Sequence, residues 1–232
     1  YRTKLFPPTP MTSHTAGLPG KTSNELQLEA CAGEYESASL VLWAPEPLSP
    51  LVIKATQLQG LGGIIPSADV DIKYVKCWYQ RGCYVGPSYL VPELLLNDDA
   101  MVKVDYGKRR NHVKLSFPDG SKYVQAYDTT KIKPGYEIES EKFPLQDADS
   151  LRPLDLPAGE NKQVWITVKV PPAAKAGNYR GRITLSVNGK EIVKPITLTV
   201  KVPAWLAEAP GKFPSCMRYV DPLVTGNSIL DW

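Results

Sequence analysis

Three runs of strict apolar–polar alternation lie between Leu156 and Pro203, and they constrain the fold more than any other feature of the sequence. In the first, Val164, Ile166, Val168 and Val170 alternate with Trp165, Thr167 and Lys169. In the second, Ile183, Leu185 and Val187 alternate with Arg182, Thr184 and Ser186. In the third, Ile196, Leu198, Val200 and Val202 alternate with Thr197, Thr199 and Lys201. A side chain on the same face every second residue is the period of a half-buried β-strand, not of a helix. Asn188-Gly189 suits a two-residue hairpin with positive φ at both positions, so runs two and three are expected to pair antiparallel. Pro171-Pro172 ends the first run, Gly177 permits the turn into the second, and Pro195 predicts an edge position or a bulge for the third. A sheet with one face this apolar needs a facing layer, and a second sheet from the same chain supplies it. The expected architecture is a β-sandwich.

Composition agrees. The 22 prolines in 232 residues are about twice the ordinary share of roughly 5% and favour short strands and structured turns over long helices. A chain of this length can bury a sizeable core, and 43% apolar residues with a formal charge of +3 exclude wholesale disorder. So small a charge, with its lysines dispersed, gives no basis for nucleic-acid binding. The compact basic run Lys108-Arg109-Arg110 reads as a solvated turn. No stretch reaches the ~18 consecutive apolar residues that a membrane span needs. The opening YRTKLFPPTP lacks an initiator methionine and a signal-peptide pattern, as a mature or trimmed N-terminus or a fragment would.

Further strands are expected upstream: over 25–32, with Leu26, Leu28 and Ala30 on one face; over 37–44, with Ala38, Leu40 and Leu42 inward; over 51–58; and over 70–79. In this last strand Val70, Ile72, Tyr74 and Lys76 share one side, while Asp71, Lys73, Val75 and Cys77 share the other. That mixture predicts a strand covered on both faces, or a register change near Val75. The stretch 78–99 shows no alternation and is expected to be an aromatic loop closed by Leu94-Leu95-Leu96 as a short buried segment. Residues 101–105 and 113–117 read as strands, and Pro118-Asp119-Gly120-Ser121 as a turn into a returning partner. Together they form a hairpin inserted into a minimal seven-stranded sandwich. Residues 1–22 are expected as an extended strap, 1–203 as the sandwich domain, and 204–232 as a linker or the start of a following domain, with Trp205 anchored back on the sandwich.

The segments DADSLRPLDLPAG (Asp147 to Gly159) and QVWITVKVPPAAKAGNYRGRITL (Gln163 to Leu185), with GEYESASLVLWA upstream (Gly33 to Ala44), carry a family resemblance. They resemble the N-terminal β-sandwich of large bacterial glycoside-hydrolase-like proteins, many of which carry a domain of unknown function numbered 4091. The resemblance implies a sandwich ahead of a catalytic (β/α)-barrel. Catalysis is expected in that barrel, so no catalytic residue is carried over to this chain. The turn pattern P-x-x-A-x-x-G-x-Y-x-G, here Pro171, Ala174, Gly177, Tyr179 and Gly181, recurs in many immunoglobulin-like accessory domains. The fold class is therefore an all-β, immunoglobulin-like or fibronectin-like β-sandwich with an inserted hairpin and long loops.

Candidate site residues cluster in the irregular stretch. Trp78, Tyr79, Tyr84 and Tyr89, with Arg81 and Gln80 beside them, have the amphipathic rings and planar hydrogen-bonding groups that stack on sugars. The competing reading is that they plug one end of the sandwich or pack against a neighbouring domain. Glu93, Asp98 and Asp99 are three carboxylates within seven positions, the chemistry of a calcium site. No EF-hand-type loop follows, so Asp98-Asp99 reads instead as a turn or a helix cap, and no cofactor is expected. Glu34 and Glu36 read as a rim pair bonded to turn amides. Cys77 and Cys83 bracket a short loop and would close it as a disulfide in an exported protein; the alternative is a buried Cys77 and a free Cys83. Cys31 reads as plain core, and without a C-x-x-C pair a structural zinc site is not expected.

No G-x-S-x-G elbow, phosphate-cradling glycine loop or H-E-x-x-H motif occurs. The function expected is that of a non-catalytic accessory module of a secreted, periplasmic or cell-surface polysaccharide-degrading protein. Its partners are the catalytic domain of the same parent chain and polysaccharide. A structural or adhesive assembly module of a cell surface, fibre or virion is the first alternative. The second is a glycan-cleaving enzyme that uses Glu93 with Asp98 or Asp99.

Overall fold

The computed structural model describes residues 23–81, 87–126 and 144–205. In chain order the strands begin with β1 (Glu25–Glu29), β2 (Tyr35–Trp43), β3 (Leu48–Ala55), β4 (Leu58–Gly60), β5 (Gly63–Ile65) and β6 (Val70–Arg81). Next come β7 (Ser88–Leu96), β8 (Val102–Asp105), β9 (Arg110–Phe117) and β10 (Gly120–Gln125). The last are β11 (Leu154–Leu156), β12 (Asn161–Lys169), β13 (Gly177–Val187), β14 (Lys190–Glu191) and β15 (Ile196–Val202). No α-helix occurs among the described residues, and none of their helices is long and apolar enough to cross a membrane. The fold is an all-β sandwich.

One sheet runs β2-β12-β6-β7, and the other runs β1-β15-β13-β3-β11 with β4, β5 and β14 attached through β13. The alternation in β12 and the residue after it becomes burial: Val164, Ile166, Val168 and Val170 are all at most 1% exposed, against Leu51, Tyr179, Ile183, Leu198 and Val200 of the facing sheet. Each such aliphatic side chain contributes about 1.5–3 kcal/mol by leaving water. The two large polar-tipped residues of this core keep their hydroxyls satisfied, Tyr179 donating to Lys175 O at 2.8 Å and Tyr74 to Arg152 O at 2.8 Å.

The Asn188-Gly189 turn has φ of 50° and 78°, as the two-residue hairpin demands. β13 and β15 pair antiparallel from Gly177↔Val202 to Ile183↔Ile196. Pro195 does not mark an edge, contrary to expectation. It sits in the break between β14 and β15, and β15 is an interior strand because β1 joins its other side in parallel. The aromatic stretch also differs from its expected loop. Residues through Arg81 and from Ser88 onward form the antiparallel pair β6–β7. Leu95 is 44% exposed, so the three leucines are not a buried segment. Alternation fails there because β7 carries Pro92 at a register shift, and an edge strand tolerates both.

The inserted hairpin is a three-stranded sheet of its own, β10-β9-β8. The basic run lies at its β8–β9 turn, with Arg109 at φ 52°. Residues 1–22, Cys83, Tyr84 and 206–232 lie outside the described residues, so the expected strap and linker do as well. Trp205 is not anchored by its ring, which is 64% exposed; its carbonyl instead accepts the thiol of Cys31. Gly181 lets β13 pass close to the 56–58 segment, since a Cβ there would stand 2.7 Å from Gln57 O. Gly181→Ala is expected to cost about 1–3 kcal/mol in urea unfolding, because backbone must move to admit the methyl.

Candidate functional site

The organising event is the fork where β6 and β12 part. The two strands pair from Val168↔Val70 to Val164↔Tyr74, and there the ladder ends. The next pair on the same inward row would set Lys162 against Lys76, and like charges directly opposite destabilise a sheet. Beyond this point β12 continues along β2 to Asn161↔Trp43, while β6 continues along β7. The β6–β7 register shift between Lys76 and Cys77 falls just past Val75, where the mixed alternation placed a change.

Asp99 fills the fork. Its carboxylate takes Lys76 Nζ on Oδ2 at 3.0 Å and Lys162 Nζ on Oδ1, and its carbonyl takes Lys76 Nζ again at 3.0 Å. Burial alone would raise the Asp99 pKa, but the Lys162 and Lys76 ammoniums together hold it below the usual carboxylate value. Burial pulls the Lys162 amine down, opposed by Asp99 and reinforced by Lys76. Burial also pushes the Cys77 thiol up to about 11 against the pull of both lysines. That makes it a poor nucleophile at neutral pH. Its disulfide with Cys83 falls on a residue outside the described ones. Cys31 is buried, as expected of plain core.

A pin from the 147–152 segment holds Asp99 in place. Asp147 accepts the backbone N–H of Asn97 at 2.6 Å and of Asp98 at 3.0 Å, and Arg152 N–H donates to Asn97 O at 2.8 Å. Asn97 is buried and receives Lys73 Nζ on its own amide oxygen at 2.7 Å. Asp98 Oδ1 then caps the short 3₁₀ turn Asp99–Met101 by accepting Ala100 N–H. The fork opens as a cleft of about 450 Å³ whose walls come from β6, β8, β11 and the start of β12.

The sequence-predicted aromatic residues divide between two faces. Trp78 Nε1 and Gln80 Nε2 both donate to Glu93 Oε2 at 2.6 Å, and Tyr89, 62% exposed, stands opposite Gln80 in the β6–β7 ladder. These four form one face with a half-buried indole held in place beside an open phenol. Tyr79 points the other way by strand alternation. Its backbone is bonded on both sides by the Asn111 amide at 2.9 and 2.7 Å, and its hydroxyl donates to Tyr106 O. The Arg81 side chain and Tyr84 lie outside the described residues.

The three carboxylates proposed for calcium go to separate tasks: Glu93 to Trp78 and Gln80, Asp98 to its cap and to Lys114 at 3.7 Å, and Asp99 to the two lysines. Among the described residues no three His, Cys, Asp or Glu side chains gather as a metal site requires. Glu34 accepts the amide of Cys31 beside the turn, whereas Glu36 accepts that of Ser37 within β2, not a turn amide as expected. Lys76, Lys162, Asn97 and Asp147 were not singled out from the sequence. The available signal was a lysine in phase with the inward apolar row on both β6 and β12.

Comparison with known proteins adds one relation. No curated protein matches the chain. A solved structure, reported for the details of glycolipid glycan hydrolysis by a family 123 glycoside hydrolase from Clostridium perfringens, is 14% identical with a TM-score of 0.47. That alignment covers 79% of this chain and 23% of the other, so this chain spans about a quarter of that protein's length. Residues 109–187, about a third of the chain, match the family model described as Glycoside hydrolase 123 N-terminal domain. Over that stretch, from β9 through β13, the chain is similar to the N-terminal domain of a glycoside hydrolase.

Proposed function

We propose that this chain is an accessory β-sandwich of a secreted, periplasmic or cell-surface glycoside hydrolase, itself non-catalytic, that supports a catalytic domain and touches glycan through the Trp78–Tyr89 face. The observation that carries this reading is the match of residues 109–187 to a glycoside-hydrolase N-terminal domain. The expected partner is a (β/α)-barrel, as the resemblance to proteins with the domain of unknown function 4091 implies, and the module is immunoglobulin- or fibronectin-like. The glycan part is supported by geometry. An indole held by Glu93 and an exposed phenol offer apolar ring faces beside a fixed acceptor, which is what a pyranose needs.

Titration of the chain against a panel of oligosaccharides tests the glycan part. Trp78→Ala and Tyr89→Ala are each expected to weaken binding about tenfold, the loss of one aromatic contact. Unchanged affinity in both variants would leave the face with a packing role alone.

A further inference from the structure

We propose that the cleft at the β6–β12 fork is a second binding site, for a neutral, hydroxyl-rich ligand of monosaccharide size. Its volume of about 450 Å³ lies within the range of small-molecule sites. Its charge is balanced, with Lys76, Lys103 and Lys162 against Asp99, Asp155 and Glu160 among the lining residues. A lining with no net charge exerts no net pull on an isolated anion or cation and suits groups that donate and accept at once, as every sugar hydroxyl does.

Two of these groups are poised for a ligand. The Lys162 side chain is 12% exposed, and among the described residues its ammonium has one acceptor, Asp99, where it has three protons to donate. A buried ammonium with donors to spare is a demand that the protein leaves to whatever enters the cleft. Glu160 lines the same cleft with no ion pair among the described residues. A ligand that carries several hydroxyls can accept from Lys162 with one and donate to Glu160 with another. Val102, Leu156 and Pro157 form the apolar part of the lining. Asp99, engaged by two cations, fixes the position of the Lys162 amine. The aromatic face lies elsewhere on β6–β7, so this site does not depend on it.

Amide chemical shifts of the whole chain, followed during titration, locate any binding. The probes are the methyl glycosides of glucose, galactose and N-acetylglucosamine, with glucuronate and glucosamine as charged counterparts. At least one neutral glycoside is expected to give saturable millimolar shifts at residues 99–104 and 154–162. Binding there should fall about tenfold in Lys162→Met, one ten-fold step being the loss of one charged hydrogen bond. Glu160→Gln, a change at a half-exposed turn residue that keeps the fold, should weaken it several-fold. The proposal is overturned if the cleft amides do not respond to any neutral probe, if Glu160→Gln binds as wild type does, or if a charged probe binds more tightly. Shifts confined to residues 78–80 and 88–93 overturn it too, while leaving the accessory-module reading intact.

Discussion

Asp99→Ala is expected to lower the unfolding free energy by about 3–5 kcal/mol, because it strands two largely buried ammoniums that now share one carboxylate. The side chains of Lys162 and Lys76 are only 12% and 16% exposed, so water entering through the cleft replaces Asp99 only in part. Urea unfolding measures the effect as a shift in midpoint with little change in slope. The double variant Asp99→Ala/Lys162→Met should recover much of the loss, since it removes one stranded charge and leaves a methionine that fits the same space.

Proton linkage gives a second reading of the same residue. Asp99 is held below its usual value of 3.8 in the folded chain. Its contribution is therefore complete above that unfolded value and is lost as the pH falls through the lower, folded one. The stability gap between wild type and Asp99→Asn should be constant around neutrality and close as the pH drops below about 4. A gap that widened in acid would mean the carboxyl is protonated in the folded state. Lys162 works in the opposite sense. Its lowered value makes the charged amine a cost to folding, so Lys162→Met should lose less than Asp99→Ala.

Ile166→Ala is the other large effect expected, about 2–5 kcal/mol, from the lost transfer of the side chain and the cavity it leaves. Ile166 is 0% exposed and sits mid-strand, paired with Ala38 of β2 on one side and Ile72 of β6 on the other. The neighbouring outward row provides the contrast. Lys169→Ala removes an exposed ammonium 5.8 Å from the Tyr35 ring and should cost at most about 1 kcal/mol. If the two rows responded equally, β12 would not be the centre of a sandwich.

The parts of the fold that were legible in the sequence are those where a local pattern decides the outcome. The rows of β12, β13 and β15, and the Asn188-Gly189 turn, need only neighbouring residues to be recognised. β7 was not legible, because Pro92 and the register shift opposite Cys77 break the alternation that would reveal it. Nor was the interior position of β15, which depends on β1 arriving from the far end of the chain. The Asp99 cluster was half legible. Lys76 stood in the inward row beside Tyr74, but its counter-charge lies 23 residues on, and the second lysine lies 63 residues from Asp99. Spacing along the chain carries no signal for contacts of that kind. The aromatic residues were found as a group, but only strand alternation separates Trp78 and Tyr89 from Tyr79.

The proposed role has this sandwich recognising glycan and leaving bond cleavage to another domain. Incubating the purified chain with a panel of oligosaccharides, while following both bound ligand and released products, tests it most directly. Saturable binding that weakens in Trp78→Ala, with no product formed, is the predicted result. Product formation that disappears in Glu93→Gln or Asp99→Asn would contradict it.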